Sequence, residues 1–285
     1  MLRQLFNNKK TIENKTKNPI VSYKIIRMEL GGIMEVISDV NKKLKGILFD
    51  FNGVILLDSE LQEKSWQITI YEATGKKYTV QELRKTIHGR GVKDLIRELV
   101  DNNLGDEEAA EIAKKKEDLY KELCLKNREL FRLTPSVINL FERLNKNNIP
   151  FTIASSASEN DMKFYFEHLN LSKWFDWNKI AYFDGKIRTK PAPDLYILGA
   201  ERLNLKPEEC CVIEDAVAGM QAAQTANAGM IIAVSIEREL PAPARRLAHI
   251  VIYSMDEINE LFINNYFNIK KEVNFPLYYI CGMGR

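Results

Sequence analysis

The chain has 285 residues, 45% of them hydrophobic and 28% charged, with a formal net charge of +2, figures that suit one or two globular domains. The charge is uneven: residues 1–45 carry ten Lys and Arg against four Asp and Glu, leaving 31 against 35 in the rest, so the body has no basic excess to suggest nucleic acid. No apolar run reaches the roughly 18 residues a membrane span needs, and four cysteines without C-x-x-C spacing suit a reducing cytoplasm better than a disulfide framework.

In chain order, residues 1–44 read as a basic extension. Residues 1–20 are rich in Asn and Lys and lack apolar periodicity, so partial disorder is expected there. A basic targeting tail is the alternative, and Met34 is a second candidate start. Residues Gly46 to Val54 then form a short apolar strand that stops at a carboxylate, Asp50, and turns at Gly53. Open α/β sheets place active sites at such carboxyl ends of strands.

Residues 61–131 read as helical. Val92, Leu95, Ile96 and Leu99 fall at i, i+3, i+4 and i+7, and the stretch Asp106 to Lys126 places Ile112, Leu119 and Leu123 on one side. Gly75, Gly89, Gly91 and Gly105 punctuate these helices. Thr134 and Pro135 look like an N-cap followed by proline at the first helical position, opening a helix with Val137, Leu140, Phe141 and Leu144 inward. Phe151 to Ser156 is an apolar strand that ends in hydroxyls, Lys190 lies beside Pro191 and Pro193, and Cys211 to Ile213 lead into the acidic pair Glu214 and Asp215. Residues 263–285 are rich in aromatics, among them Tyr266, Phe267, Phe275, Tyr278 and Tyr279, which argues for packing against the body.

Taken singly, each candidate has a plain structural reading: a turn residue at Asp50, helix caps at Ser155, Ser156 and the Glu214–Asp215 pair, and a solvated loop lysine at Lys190. As a set Asp50, Glu214, Asp215, Ser155 and Lys190 offer three carboxylates, a hydroxyl and a cation. Hard oxygen ligands select Mg²⁺, and phosphoryl transfer needs little beyond an aligned nucleophile and concentrated positive charge.

The order of these pieces resembles the four motifs of the haloacid dehalogenase superfamily, over roughly residues 46–255 and closest to its phosphatase and β-phosphoglucomutase-like branch. The resemblance rests on Asp50-Phe51-Asn52-Gly53-Val54, on Ser155 after its strand, on Lys190-Pro191-Ala192-Pro193-Asp194, and on Glu214-Asp215 followed by Ala218-Gly219-Met220. It implies an α/β fold: a Rossmann-like parallel sheet core flanked by helices, residues 45–60 and 132–262, with an inserted α-helical cap domain at 61–131. Hinges are expected near residues 57–60 and 130–133. It also implies that the loops carrying these residues meet, which spacing alone does not give.

By the same resemblance Asp50 is the nucleophile that forms an aspartyl phosphate, and Ser155, Ser156 and Lys190 bind the phosphoryl group. Mg²⁺ is held by Asp50, the backbone carbonyl of Asn52 and Asp215, with Glu214 in support. His88 and Arg90 match a glycine-bearing cap loop that faces the nucleophile, where Arg90 would pair with a substrate phosphate and His88 would titrate near neutral pH. The expected activity is Mg²⁺-dependent hydrolysis of a small phosphorylated metabolite.

Two departures qualify that expectation. Asn52 stands where the family has a general acid/base Asp, and an amide moves no proton, so catalysis is open to doubt while metal binding is not. Val92 and Gln62 stand where phosphoglucomutase-like members carry Arg and His, which weakens a sugar-phosphate mutase reading. The contrasting reading is a catalytically silent relative that binds a phosphometabolite or a protein partner. Cleavage of a carbon–halogen or carbon–phosphorus bond is disfavoured, since those branches of the family carry other residues at position 52, and the latter also needs a cap lysine as Schiff base, for which Lys93 is the only obvious candidate. Substrate identity and oligomeric state are not fixed by the sequence.

Overall fold

The computed structural model describes residues 44–87, 92–236 and 239–267. Strands β1 (Gly46–Phe49), β2 (Phe151–Ser158), β3 (Ala181–Phe183), β4 (Cys210–Glu214), β5 (Met230–Val234) and β6 (Ile250–Ile252) form one parallel sheet in the order β3-β2-β1-β4-β5-β6. That is the doubly wound Rossmann order, in which the chain reverses direction at β1 and β4 and opens a crevice outside their carboxyl ends.

Burial on both faces explains why these strands read as continuous apolar runs. Ile47, Phe49, Cys211, Ile213, Ile232 and Val234 enter one cluster, with residues of helices α5 (Pro135–Lys146), α6 (Glu159–His168) and α10 (Glu260–Tyr266). Leu48, Val212, Ile231 and Ala233 alternate with them and enter the opposite cluster, with residues of α7 (Asp194–Arg202), α8 (Val217–Thr225) and α9 (Ala242–Leu247). The period-2 reversal of side chains along each strand produces this division.

Between β1 and α5 lie α1 (Ser59–Thr74), α2 (Val80–Thr86), α3 (Val92–Leu99) and α4 (Asp106–Lys126). Trp66, Ile70, Leu83, Ile87, Leu95, Ile96, Leu99 and Ala109 give these helices a cluster of their own. Gly75 ends α1 in the left-handed conformation, at φ 71°, and Gly105 occupies the N-cap of α4.

Three details differ from the sequence expectations. On α4 the buried line is Ala109, Lys116, Tyr120 and Cys124, while Ile112, Leu119 and Leu123 are half-buried. The stripe is turned by about one residue because a lysine and a tyrosine, polar in sequence, are buried with partners. Thr134 precedes α5, with Pro135 in its first turn, but makes no side-chain cap bond to the helix; its hydroxyl lies 3.1 Å from that of Ser136. Helix α10 runs through the boundary expected at residue 262. Phe262, Ile263 and Phe267 are buried, and Leu44 N donates to Tyr266 O at 2.9 Å, so both flanks of the expected core belong to it. The remainder of the aromatic C-terminal stretch, Phe275, Tyr278 and Tyr279 included, lies outside the described residues, as does most of the basic N-terminal extension.

Candidate active site

Asp50 follows β1 and Glu214 ends β4, and the register of these two strands pairs Phe49 with Ile213. Asp50 N donates to Ile213 O at 3.0 Å, which carries the alignment one residue past the strand. Lys190 reaches the same edge from the segment ahead of α7. Its Nζ lies 2.5 Å from Asp50 Oδ1 and 2.8 Å from Glu214 Oε1, and 4.7 Å from the centre of the Tyr196 ring. The Lys190–Pro191 peptide is cis.

Glu214 is fully committed. Oε1 accepts from Lys190 and from the Tyr196 hydroxyl at 3.0 Å, and Oε2 accepts from the backbone N–H groups of Asp215 and Ala216, both at 2.8 Å. Its carboxylate thus holds Lys190 against Asp50 and ties the start of the β4–α8 turn. Asp215 is 8% exposed, and one of its oxygens lies with one each of Asp50 and Glu214 in a group whose members are all within 4.8 Å of one another. Three carboxylates around one ammonium leave a surplus of two negative charges, which one divalent cation balances.

Burial pushes the Asp50 carboxyl up to about 6, with Glu214 adding to the effect and Lys190 opposing it. Burial alone would lower Lys190, but the charges of Asp50 and Glu214 outweigh it and hold the ammonium above its ordinary value. The cluster therefore keeps its cation while its nucleophile candidate is poised to bind or lose a proton.

Asn52 takes a different direction. Its Nδ2 donates to Asp58 Oδ2 at 2.9 Å and to the Tyr165 hydroxyl at 3.3 Å. Asp58 is buried, and its Oδ2 also accepts from Gln62 Nε2 at 3.0 Å and the Tyr120 hydroxyl at 2.5 Å. Burial raises the Asp58 pKa, while Tyr120, Gln62, Asn52 and the charge of Lys116 hold it back. Because two of the three donors are amide nitrogens that can only donate, Oδ2 itself carries no proton in this arrangement.

The other expected residues divide. Ser155 is 2% exposed, and its Oγ accepts from Ala157 N at 3.2 Å. Ser156 is exposed, and the side chain that caps α6 is neither of these but Ser158, which accepts from Asp161 N. His88 and Arg90 lie outside the described residues. Lys93 is exposed near the start of α3, without the burial that activates a Schiff-base lysine. Sequence reasoning missed Tyr196 behind Glu214 and the group of Asp58, Lys116, Tyr120 and Tyr165; a lysine and a tyrosine on the inner line of α4 were the available signal.

Residues 44–227 match the sequence profile described as haloacid dehalogenase-like hydrolase. The chain belongs to the haloacid dehalogenase-like hydrolases. Among similar proteins, a phosphorylated carbohydrates phosphatase of Thermotoga maritima is 28% identical over 196 residues, covering 67% of this chain and 85% of that protein. Hexitol phosphatase A of Escherichia coli is 28% identical over 217 residues, covering 76% and 94%. A solved hydrolase of this family from Entamoeba histolytica, described as family IA, variant 3, superposes with a TM-score of 0.72 at 31% identity over 78% of this chain and 99% of its own. A β-phosphoglucomutase from Clostridium difficile, 23% identical with a TM-score of 0.65, shares the fold.

Proposed function

We propose that this protein is a Mg²⁺-dependent phosphohydrolase that acts on a small phosphorylated metabolite through an aspartyl phosphate on Asp50. The observation that carries the reading is Lys190, held by Glu214 and placed 2.5 Å from Asp50 at the crevice between β1 and β4. A carboxylate becomes a useful nucleophile toward a phosphoryl group when a fixed cation offsets the charge on both. The phosphatase relatives support the substrate class.

In this reading Asp50 attacks phosphorus, Lys190 stabilises the charge on the transferring oxygens, and the backbone and hydroxyl at Ser155 bind the phosphoryl group, with Ser156 at its rim. The donor set fits Mg²⁺: Asp50, Asp215 and the carbonyl of Asn52 would hold it, and Glu214 supports them from behind, since both its oxygens are already taken. The ion supplies charge neutralisation and orientation for the phosphate. Residues 61–131, which take in α2–α4 and all but the first two residues of α1, act as a cap that closes over substrate, hinged at residues 57–60 and 130–133, and bring His88 and Arg90 to it.

Asn52 is read as replacing the general acid/base, so leaving groups that need a proton are handled slowly. A reducing, cytoplasmic setting suits the buried free thiols of Cys124, Cys210 and Cys211, and among the described residues no helix is long and apolar enough to cross a membrane. The test is a screen of phosphorylated metabolites with Mg²⁺, comparing the wild type with Asp50→Asn. Activity confined to the wild type supports the reading. Equal signals from both proteins point to a contaminant or a silent site.

A further inference from the structure

We infer that Asp58, Tyr120 and Tyr165 position Asn52 so that its amide oxygen, not its nitrogen, faces the phosphoryl centre, and that the site therefore takes phosphoryl donors whose leaving oxygen departs without a proton, acyl phosphates above all. The inference rests on the phosphohydrolase reading and narrows its substrate class.

The orientation follows from a chain of donors that begins at Lys116, which also donates to Glu117 Oε1 at 3.2 Å. The Lys116 ammonium can only donate, and it lies 2.7 Å from Gln62 Oε1. That fixes the Gln62 amide, turning Nε2 toward Asp58 Oδ2 at 3.0 Å. The Tyr120 hydroxyl spends its proton on the same oxygen at 2.5 Å, and Tyr165 donates to Tyr120 at 3.3 Å. The Tyr165 oxygen is then free to accept the second Nδ2 hydrogen of Asn52, at 3.3 Å, while the first goes to Asp58. Reversing the amide would set Oδ1 against Asp58 Oδ2 with no proton between them, leaving a buried carboxylate short of a donor.

Packing holds the parts in place. The Tyr165 ring lies 4.6 Å from that of Phe51, next to Asn52 in the chain, and Tyr120 is wholly buried. Both Nδ2 hydrogens are thus used inside the protein, whereas Oδ1 accepts no hydrogen bond among the described residues.

An acceptor at that position divides the two chemical steps. In the first, an Asp50 oxygen bonds to phosphorus and the bond from phosphorus to the leaving oxygen breaks, its electron pair leaving with that oxygen. A carboxylate leaves as it is; an alkoxide needs a proton that Oδ1 cannot give. In the second, water attacks phosphorus, the bond to Asp50 breaks with its pair returning to the carboxylate, and the water's proton passes to a phosphoryl oxygen, giving dihydrogen phosphate. No internal base is required. Oδ1 accepts a hydrogen bond from the water and holds it in line.

The test uses the full chain with Mg²⁺, rapid quench, and two donors, acetyl phosphate and glycerol 3-phosphate. The expected preference for acetyl phosphate is at least about 10²-fold, the usual worth of a missing general acid. Tyr165→Phe keeps the ring and removes one partner of Nδ2; it should lower steady-state kcat on acetyl phosphate about fivefold, the worth of one neutral hydrogen bond, with KM falling in proportion and kcat/KM and the pre-steady-state burst rate unchanged. A general loss of folding would depress both phases together, and that result overturns the assignment.

The orientation is also read without turnover, from ¹⁵N-labelled protein. Both side-chain amide protons of Asn52 should be protected from solvent exchange in the wild type and one of them in Tyr165→Phe; two fast-exchanging protons in the wild type overturn it. Equal turnover of the two donors refutes the donor class and leaves the phosphohydrolase reading standing. Absence of burst and turnover with every donor removes that reading and the donor class together.

Discussion

Gly219, in the first turn of α8, lies directly against the carboxylate of Glu214: a Cβ built there would be 1.5 Å from Oε1. Gly53, at φ +80°, stands in the same relation to Asp215, where a Cβ would be 2.1 Å from Oδ2. The two acidic side chains that end β4 are therefore seated on bare backbone. Gly219→Ala should expel Glu214, strand its four donors and release Lys190, at a cost of about 1–3 kcal/mol, as for other overpacked sites. Urea unfolding measures it against Gly105→Ala, whose added methyl meets only Glu108 Oε2 at 3.6 Å. Equal stability of the two variants would deny Glu214 its seat.

Proton and metal should compete at Asp50. Its pKa in the fold, about 6, is raised from 3.8, so the folded protein binds this proton more tightly than the unfolded chain does. Stability contributed by that protonation is present at low pH and is lost as pH climbs from about 4 to about 6. Mg²⁺ needs the ionised form, so its affinity should rise by up to about tenfold per pH unit below pH 6 and level off above it, with proton release on binding. Calorimetry in buffers of different ionisation enthalpy detects that proton. Affinity flat from pH 5 to pH 8 would exclude Asp50 as a ligand.

Asp215→Ala should weaken Mg²⁺ binding and abolish turnover while leaving the fold intact, because Asp215 supplies one of the two carboxylates proposed to touch the ion. Circular dichroism checks the fold and titration calorimetry the metal. Unchanged Mg²⁺ affinity would remove Asp215 from the site.

Much of this arrangement is legible in the sequence because strands announce themselves locally. The apolar runs before Asp50, through Ser155 and before Glu214 are β1, β2 and β4, and the family's motif order implies that they are neighbours. What was not legible depends on contacts between distant elements. Asp58 draws partners from positions 52, 62 and 120, and no periodicity links them. The inner face of α4 lies one residue away from its apolar periodicity because Lys116 is 2% exposed, against every hydropathy expectation for a lysine. Its stem and ammonium lie among the Trp66 and Tyr120 rings and Gln62, which only the fold assembles.

Asn52→Asp should raise alkyl-ester turnover by about 10²-fold or more. The carboxyl oxygen in the place of Oδ1 can carry the proton that an amide oxygen cannot, which sets a general acid toward the leaving group. Steady-state rates on glycerol 3-phosphate measure the gain. If His88 moves the proton instead, the substitution changes little and His88→Ala is the damaging variant.

The central claim is that Asp50 carries the phosphoryl group in a covalent intermediate, and the most direct measurement is to trap it. Protein mixed with Mg²⁺ and acetyl phosphate, quenched in acid during the first turnover and reduced with borodeuteride, converts an aspartyl phosphate to homoserine, which peptide mass spectrometry locates. The account predicts that conversion at position 50 alone, and none in Asp50→Asn. Phosphate release at the wild-type rate with no modified residue at position 50, or with the label on another side chain, would contradict it.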